Sequence, residues 1–433
     1  MPVKFSIIIP FYNSSNFLKK SVLSIIKQKR KNIEIILIDD YSNDKSKKIY
    51  QALKKKYAFI RIIKNKKNCG VGKSRNKGIL KSTGKYLVFL DSDDYLFPKS
   101  LKKLEDLIKK SSHPDMVVLK HKKSTYPITN QKLINDVDFN IKSPEKFISY
   151  LNKTEVPFAD CWFICVKKDL LFKNKIYFPN TRFGESEYFV SKIICSMKSY
   201  ACLDQSFYFK NDRLGSLNSS DDYDATVSVL ENLIQFCGFL KQKNLSPIKK
   251  KFVTKYIENG FGLLSTLLIL RKRSDLIKIS KYLQKNKKVI KRIKISKKKY
   301  NIFLLLNKYG ALKGLRMLIK NIYKEKNQQI SKIKNSRNIY IYCKSKYAAA
   351  TLLIMKKNKL KIKGVIDDSY IFRKERFLGH QVMNSKVFLK QAICNLTNTS
   401  VIINHQKISI SKKIKEFLIK KGLKKRQIVS IKY

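Results

Sequence analysis

The chain has 433 residues, of which 43% are hydrophobic and 11% aromatic, and this composition excludes an intrinsically disordered protein. The formal net charge of +63 predicts attraction to polyanions such as an anionic membrane face or phosphorylated substrates, although lysines spread evenly over solvated faces are an open alternative. Eight cysteines without Cys-x-x-Cys spacing and only four histidines indicate neither a zinc site nor a secreted disulfide framework.

The N-terminal part alternates between strand and helix patterns. Apolar runs predict four strands, at residues 5–10, 33–38, 59–63 and 86–90. Leu18, Val22, Ile25 and Ile26 at helical spacing predict the apolar core stripe of the first intervening helix. Ile49, Leu53 and Tyr57 share one face of the second. This alternation is typical of a parallel α/β sheet with right-handed crossovers. Ligands of such sheets collect at the carboxyl ends of the strands.

The glycine-containing stretch from Asn68 to Gly78 precedes the fourth strand. Gly72-Lys73-Ser74 imitates the end of a Walker phosphate-binding loop, but that motif requires a glycine where Lys67 stands. The stretch therefore does not predict a Walker ATPase. It does predict the start of a helix, with Arg75 placed where a diphosphate would bind.

Three carboxylates, Asp91, Asp93 and Asp94, follow the fourth strand within four positions. They repel one another and are expensive to desolvate unless a cation joins them. Alternation along an extended chain puts Asp91 and Asp93 on the same side, where their hard oxygens suit Mg²⁺ or Mn²⁺. A simple turn between strand and helix is the alternative interpretation.

Four segments occur in a characteristic order: Ser6-Ile-Ile-Ile-Pro-Phe-Tyr-Asn13, Ile38-Asp-Asp-Tyr-Ser-Asn-Asp44, Gly70 to Gly78, and Leu90-Asp-Ser-Asp-Asp94. In this order they resemble the family 2 glycosyltransferases, over about the first half of the chain. The resemblance implies a GT-A, nucleotide-sugar-binding α/β fold. It further implies an inverting transfer of a sugar from a UDP-linked donor to a glycan hydroxyl, in assembly of a cell-surface polysaccharide such as capsule or lipooligosaccharide.

The resemblance also implies roles for residues that bind the donor. Pro10 and Tyr12 would border the nucleobase, and Asp40 or its neighbour Asp39 would accept a hydrogen bond from the uracil N–H. Arg75 would lie beside the base and the diphosphate.

The remaining implied donor residues surround the metal. Asp91 would approach the ribose and the metal, with Ser92 beside it as a further donor-binding residue. Asp93, together with Asp91, would hold the Mn²⁺ or Mg²⁺ that bridges the diphosphate.

The segment Phe183–Phe189 departs from the family, in which a Glu-Asp pair supplies the general base through its Asp. The matching position here is Ser186, which has no useful basicity. Glu185 or Glu187 is therefore the expected catalytic base, and Glu185 is favoured because Gly184 lets the backbone come close to the donor. Two helix-terminal carboxylates without a catalytic role are the alternative.

Residues 221–334 are helical in pattern and very basic, above all from Lys287 to Lys299. A basic amphipathic helix on an anionic membrane and a helical bundle with a solvated lysine face are equally compatible with this pattern. The longest apolar run, Phe261 to Leu270, is too short to cross a bilayer, and the N-terminus lacks a signal peptide's features. The sequence predicts a cytoplasmic protein whose membrane contact would be peripheral, at the inner face.

Residues 335–433 form a small α/β pattern that resembles a Rossmann-like nucleotide-binding region. Strands are predicted at 339–342, 400–403 and 428–431, and residues 364–368 are predicted to be the end of another strand. Side chains in Cys343-Lys-Ser-Lys-Tyr-Ala348 replace the expected glycine-rich turn, so a docking or structural role is favoured over a dinucleotide site. The predicted domains are therefore a catalytic domain at 1–220, a basic helical region at 221–334 and this domain at 335–433.

A polyanion- or membrane-binding protein with a vestigial sugar-nucleotide site is the alternative function. Arg75, Asp91 and Asp93 favour the enzyme, whereas Ser186 favours the alternative. The lysines occur along the whole chain, without the aromatic and glycine signature of RNA-binding domains, so nucleic acid is not an expected partner. The expected partners are a nucleotide-sugar donor, a glycan or lipid-linked glycan acceptor, and an anionic membrane surface.

Overall fold

The computed structural model describes residues 5–430 apart from 124–142, 154–159, 183, 212–222, 242–244, 272, 286–310, 334–335, 337, 343–345, 367–375, 378–379, 384, 393–397 and 404–407. The predicted basic segment Lys287–Lys299, the turn that begins at Cys343 and residue Phe183 therefore lie outside the described residues. The chain divides into two compact units, Met1–Ser216 with Phe239–Tyr256, and Leu217–Gly238 with Ile257–Tyr433.

The first unit contains an eight-stranded mixed sheet. Its strands are β1 (Phe5–Phe11), β2 (Ile33–Asp39), β3 (Ile60–Lys64), β4 (Tyr86–Phe89), β5 (Tyr95–Leu96), β6 (Met116–Lys123), β7 (Ile164–Lys167) and β8 (Tyr200–Lys210). They lie in the order β3-β2-β1-β4-β7-β6-β8-β5. The four strands predicted from the sequence are confirmed, within one residue at each end.

The strands β3, β2, β1 and β4 are parallel to one another, as predicted. The chain moves outward from β1 through β2 to β3 and then returns to place β4 on the other side of β1. The order of the strands thus reverses between β1 and β4, and the crevice at such a switch point is where open α/β sheets bind ligands. All seven residues of β1 are buried, so this part of the sheet is the centre of the core.

Helices cover both faces of this sheet. They are α1 (Leu18–Ile26), α2 (Ser46–Lys56), α3 (Val71–Lys81), α4 (Ser100–Lys110), α5 (Pro144–Lys153), α6 (Lys168–Lys173) and α7 (Glu185–Ser196). The buried stripe of α1 contains Leu18, Val22 and Ile25, as predicted, together with Ser21, whereas Ile26 is only partly buried. For α2 the prediction was wrong in part, because Tyr57 lies beyond the helix and Tyr50 is buried beside Leu53 instead.

The second half of the sheet is mixed in direction and was not predicted. β7 is antiparallel to both β4 and β6, while β6 and β8 are parallel. A register shift in β6 at Leu119–His121 bends the pairing with β8. The short strand β5 pairs with β8 and brings the chain after Asp94 back onto the sheet.

The second unit contains a six-stranded sheet. Its strands are β9 (Asn338–Tyr342), β10 (Gly364–Ile366), β11 (Arg376–Phe377), β12 (His380–Met383), β13 (Thr399–Ile403) and β14 (Ile428–Ser430), in the order β11-β12-β10-β9-β13-β14. All pairings except β11 with β12 are parallel, which confirms the predicted C-terminal α/β architecture.

Within the described ranges after residue 220, the helices are α8 (Tyr223–Leu240), α9 (Pro247–Ile269), α10 (Arg273–Lys285), α11 (Ala311–Ile330), α12 (Lys346–Lys357), α13 (Ser385–Ala392) and α14 (Ile408–Lys420). Among the helices of the described ranges, none combines the length and the apolar character needed to cross a bilayer.

Candidate functional site

The carboxyl ends of β1 and β4 bring the first predicted site residues together. Pro10 is buried within β1, and Tyr12, which follows the strand, is 48% exposed. Ser92, after β4, shares a hydrogen bond of 2.8 Å between its Oγ and the Oγ of Ser14. The two strand ends are therefore tied together at the switch point, with an aromatic ring open to solvent beside them.

The segment Asp91–Asp94 is a turn and not an extension of the strand. β4 ends at Phe89, and the backbone N–H of Asp94 donates to the carbonyl oxygen of Asp91 at 3.1 Å. The predicted alternation of Asp91 and Asp93 along an extended chain is thus wrong, because the chain has already turned at these residues.

Asp94 anchors this turn. Its Oδ2 accepts a hydrogen bond from the Tyr208 hydroxyl at 2.5 Å, and its Oδ1 accepts from the Asn211 backbone N–H at 2.8 Å. Burial, together with the charge of Asp91, raises the pKa of Asp94 above its ordinary value. Asp94 therefore serves to position the turn, while Asp91 and Asp93 are partly exposed.

A buried arginine on α3 joins carboxylates from two distant parts of the sequence. The Nη2 of Arg75 donates to Asp91 Oδ1 at 2.8 Å, and its Nη1 donates to Glu185 Oε1 at 2.6 Å. Burial disfavours the charged guanidinium, but the neighbouring Cys161, Asp91 and Glu185 outweigh this effect and raise the pKa of Arg75 above its ordinary value. The side chain also lies 5.3 Å from the centre of the Phe178 ring.

Two glycines allow α3 and α7 to approach each other around this arginine. A Cβ atom on Gly72 would lie only 2.9 Å from the Pro179 carbonyl oxygen and 3.3 Å from Glu185 Cγ. Gly184, the residue before α7, has φ +70°, a left-handed conformation that glycine adopts without strain. The sequence thus permits Glu185 to begin its helix directly against the start of α3.

Ser186 lies inside the same cluster. Its Oγ donates to Glu185 Oε1 at 3.2 Å and is 3.5 Å from Arg75 Nη1. It also lies near Cys161, a buried thiol whose pKa is raised to about 12, chiefly by burial. The position that carries the base in the resembled family is therefore oriented toward the arginine, although its serine has no useful basicity.

Glu187 does not join the cluster. Its charge acts on the buried hydroxyl of Tyr256 and helps to raise the pKa of that tyrosine, which burial raises most. Successive residues of a helix diverge by about 100°, so residues 185 and 187 point in different directions. Of these two glutamates, Glu185 is the one that forms an ion pair with Arg75.

The two aspartates after β2 stabilise the surrounding loops. Asp40 is buried and accepts hydrogen bonds from Asn65 Nδ2 at 2.7 Å and from the backbone N–H groups of Cys69 and Gly70, both at 2.8 Å. Asp39 Oδ1 accepts from the backbone N–H of Ser42 at 2.8 Å. Asp40 thus fixes the entry into α3, and a hydrogen bond from either aspartate to uracil stays a prediction.

The chemistry of Asp91 and Asp93 fits a divalent cation. Asp91 uses only Oδ1 for Arg75, and both side chains offer hard carboxylate oxygens at the end of β4. Within the described ranges there is no cluster of three or more His, Cys, Asp or Glu arranged to hold a metal. Two carboxylates suit Mg²⁺ or Mn²⁺, because these ions retain waters and complete their coordination with substrate phosphates.

The contact between Arg75 and Glu185 spans 110 residues of sequence, and sequence reasoning did not predict it. Sequence reasoning also missed the role of Asp40 at the start of α3, and that of Tyr208 as a partner of Asp94. For the contact between Arg75 and Glu185, the available signal was an arginine near a predicted helix start and an unpaired glutamate after Gly184, and neither identifies the other as its partner.

Comparisons with known proteins show which family the N-terminal region resembles. Residues 6–172 match the family model of glycosyl transferase family 2. The cholesterol galactosyltransferase of Borreliella burgdorferi is 27% identical over 271 residues, which make up 58% of this chain and 73% of that protein. The poly(ribitol-phosphate) β-N-acetylglucosaminyltransferase TarS of Staphylococcus aureus is 25% identical over 281 residues, 60% of this chain and 46% of TarS, so less than half of TarS is matched.

The fold has a counterpart among solved structures. The crystal structure of S. aureus TarS 1-349 in complex with UDP-GlcNAc aligns with a TM-score of 0.51 at 21% identity, over 74% of this chain and 92% of that one. This likeness confirms the predicted GT-A-like sheet, with its strand order reversing at the site described above. Over residues 6–172 the sequence matches glycosyl transferase family 2, and this N-terminal region has the GT-A-like fold.

Proposed function

We propose that the chain transfers a sugar, with inversion, from a UDP-linked donor to a hydroxyl of a cell-surface glycan such as capsule or lipooligosaccharide. The observation that carries the proposal is the pairing of buried Arg75 with Asp91 and Glu185 at the switch point of the sheet. Arg75 lies near the start of α3 and beside Asp91, where a cationic side chain is able to meet the diphosphate of a donor.

The choice of donor is supported by the similarity to TarS, which has been crystallised with UDP and with UDP-GlcNAc. In the proposed arrangement the exposed ring of Tyr12 and the chain at Pro10 border the base, and Asp40 or Asp39 accepts from it. Arg75 neutralises Asp91 and thereby reduces the repulsion that a diphosphate would meet at this strand end.

The proposed acceptor class is supported by the names of the relatives, which act on poly(ribitol-phosphate) in one case and on cholesterol in the other. Both acceptors offer hydroxyl groups as nucleophiles. The proposed cellular setting is the cytoplasm, with peripheral contact to the inner face of the membrane.

Glu185 is the proposed catalytic base. Its Oε1 accepts hydrogen bonds from Arg75 and Ser186, whereas Oε2 has no hydrogen bond to the described residues. One oxygen thus holds the carboxylate in place while the other is able to take the proton of the acceptor hydroxyl as the new glycosidic bond forms. Glu187 is retained as the alternative base.

Asp93 and Asp91 are the residues that would hold Mn²⁺ or Mg²⁺. When bound, such an ion stabilises the negative charge that develops on the departing nucleoside diphosphate. Asp94, through Tyr208 and Asn211, keeps the turn that carries both ligands in position.

Thermal-shift measurements with UDP and a panel of UDP-sugars, with and without Mn²⁺, test this proposal. Binding of a ligand to the folded state raises the apparent stability. We expect UDP to raise the melting temperature, and one UDP-sugar to be turned over in the presence of an acceptor. Absence of any shift with every nucleotide, together with absence of turnover, would favour the alternative of a polyanion-binding protein.

A further inference from the structure

A cationic cavity flanks the first helix of the catalytic domain. It has a volume of about 930 Å³ and lies between α1, continued by residues 27–30, and the segment 95–102. It takes no part in the site described above, since none of the predicted donor, metal or catalytic residues lines it. Its size is within the range of cavities that bind small ligands, about 300–1,000 Å³.

The two walls of this cavity are held together by defined contacts. The backbone N–H of Leu96 donates to Ser24 Oγ at 3.0 Å, and that of Leu101 donates to Gln28 Oε1 at 2.9 Å. The ammonium group of Lys20 lies 4.4 Å from the centre of the Tyr95 ring, across the cavity from its own helix. The cavity is therefore part of the fold and not a gap between loosely packed segments.

The charge of the lining is entirely positive. Seven of its side chains are basic, and none of the described residues that line it is acidic. Arg30 pairs with Glu105 and Lys102 pairs with Asp106, but in the described part of the chain the other five lysines form no ion pair. Those five are Lys19, Lys20, Lys27, Lys29 and Lys99, and all are exposed.

We propose that this cavity binds the phosphate groups of an acceptor chain that carries several phosphodiesters. From Lys19 to Lys27 the helical rise extends for about 12 Å, so the lysines are spaced to contact successive phosphates and not one isolated group. Several ammonium groups without protein counterions attract a polyanion, which releases its own counterions on binding.

The same surface is less suited to a lipid bilayer. A membrane-docking face inserts apolar side chains between its basic residues. The large hydrophobic residues that are exposed in the described part of the chain, such as Tyr12, Tyr41, Leu80 and Phe172, all lie outside the lining of this cavity. Apolar residues also line the cavity, but Leu23 and Tyr95 are only partly exposed and Leu96 is buried, so none of these three projects from the surface as a membrane anchor.

The inference rests on the proposed function and specifies its acceptor. One wall of the cavity continues directly from Asp91–Asp94, the turn to which the donor diphosphate is assigned. A phosphate-bearing chain held along α1 would thus be retained next to the position of transfer while one of its hydroxyls reacts. Such retention lowers the KM for the acceptor and leaves the affinity for the donor unchanged.

The test compares two triple variants of the full chain that lose the same charge. The cavity variant carries Lys19→Gln, Lys20→Gln and Lys27→Gln. The matched control carries Lys47→Gln, Lys48→Gln and Lys55→Gln on α2, whose lysines are exposed and lie outside the cavity. Binding of a synthetic ribitol phosphate oligomer, of phosphatidylglycerol vesicles and of a homopolymeric RNA is measured for both, and UDP binding is measured in parallel.

We expect the cavity variant to bind the ribitol phosphate oligomer at least about tenfold more weakly. The slope of the logarithm of the binding constant against the logarithm of the salt concentration should decrease in magnitude by roughly two. The control should change the affinity by less than about threefold. UDP binding should be unchanged in both variants. A wild-type protein that does not bind UDP would contradict the proposed function, independently of the result with the oligomer. Equal losses in both variants, or a selective loss of vesicle or RNA binding in the cavity variant, would overturn the inference.

Discussion

At the level of single residues, Arg75 organises the site because it contacts groups that the sequence keeps far apart. Its two terminal nitrogens bind Asp91 at the end of β4 and Glu185 at the start of α7. Since Oε2 of Glu185 has no hydrogen bond to the described residues, this carboxylate combines a fixed position with a free acceptor atom. Ser186, beside it, contributes a hydroxyl where the resembled family has a base.

The first prediction concerns the base. Glu185→Gln should lower kcat by about 10²–10⁴-fold, because the acceptor hydroxyl loses its proton acceptor. UDP affinity should change little, since the amide oxygen of glutamine still accepts a hydrogen bond from Arg75. Steady-state kinetics and UDP titration measure both quantities.

Glu187→Gln is the matched control for this experiment and should keep most of the wild-type kcat. Loss of activity in this variant alone would assign the base to Glu187. Full activity in both single variants and in the double variant would exclude a carboxylate of this segment as the base.

The second prediction concerns the cation. Asp93→Ala should remove the Mn²⁺-dependent part of the stabilisation by UDP and abolish transfer, because only Asp91 remains of the two proposed ligands. Thermal-shift titrations of UDP with Mn²⁺ or with EDTA measure this directly. Undiminished transfer in the variant, or full wild-type transfer in EDTA, would contradict the assignment of the metal.

At the level of strands and helices, the sequence predicted the elements whose pattern is local. The four parallel strands of the first sheet and α1 follow from apolar runs and helical spacing. The same holds for β9, β10, β13 and β14 of the C-terminal sheet, whereas β12 was not predicted. The mixed half of the first sheet could not be predicted in this way. β6, β7 and β8 pair across intervals of tens of residues, and periodicity carries no information on such partners.

A buried carboxylate on β2 shows a second limit. Glu34 stands within an otherwise apolar strand, and its Oε1 accepts hydrogen bonds from Ser6 Oγ at 2.6 Å and from the Thr83 backbone N–H at 2.5 Å. Its Oε2 accepts from Arg61 at 3.1 Å. Glu34 thus connects β1 and β2 with the loop before β4. A charged residue inside a predicted buried strand was the available signal, but it does not identify the partners.

The third prediction is a pH dependence of stability through Glu34. Burial acts to raise the pKa of Glu34, but hydrogen bonds from Ser6, Thr83 and Arg61 outweigh burial and lower it from 4.5 to about 2. A folded pKa below the unfolded one means that the carboxylate stabilises the fold above about pH 4.5, by about 3 kcal/mol, and that this contribution is lost as pH falls toward 2.

Urea unfolding of the wild type and of Glu34→Gln measures this effect. The difference between their free energies of unfolding should narrow by about half between pH 6 and pH 3. Lys102→Gln, which removes an exposed ion pair on α4, serves as a control and should change stability by less than about 1 kcal/mol. A difference independent of pH would contradict this prediction, because it would show that the pKa of Glu34 is the same in the folded and unfolded states.

At the level of the whole molecule, every residue assigned to the donor, the metal or the base lies in the unit formed by Met1–Ser216 with Phe239–Tyr256. The division into a catalytic domain at 1–220, a helical region at 221–334 and a Rossmann-like domain at 335–433 is our proposal for the chain. It assigns the C-terminal sheet a docking or structural role.

The fourth prediction follows from this division. A chain that ends at residue 334 should bind UDP with wild-type affinity, because the truncation removes no residue of the proposed site. Isothermal titration of both proteins with UDP measures this, and circular dichroism checks that the shortened chain is folded. A folded truncated chain without UDP affinity would show that the nucleotide site depends on residues 335–433.

The burial of Cys161 gives the native protein an internal reporter of motion. This thiol is sequestered beside Arg75 and Ser186, and its pKa is raised to about 12, so a modifying reagent reaches the reactive thiolate only when the cluster opens. The rate of alkylation at Cys161, measured by mass spectrometry, therefore reports how often the buried part of the proposed site opens transiently. A bound nucleotide-sugar donor that stabilises the positions of Arg75 and Asp91 should lower this rate. A substitution that weakens the packing between α3 and α7 should raise it.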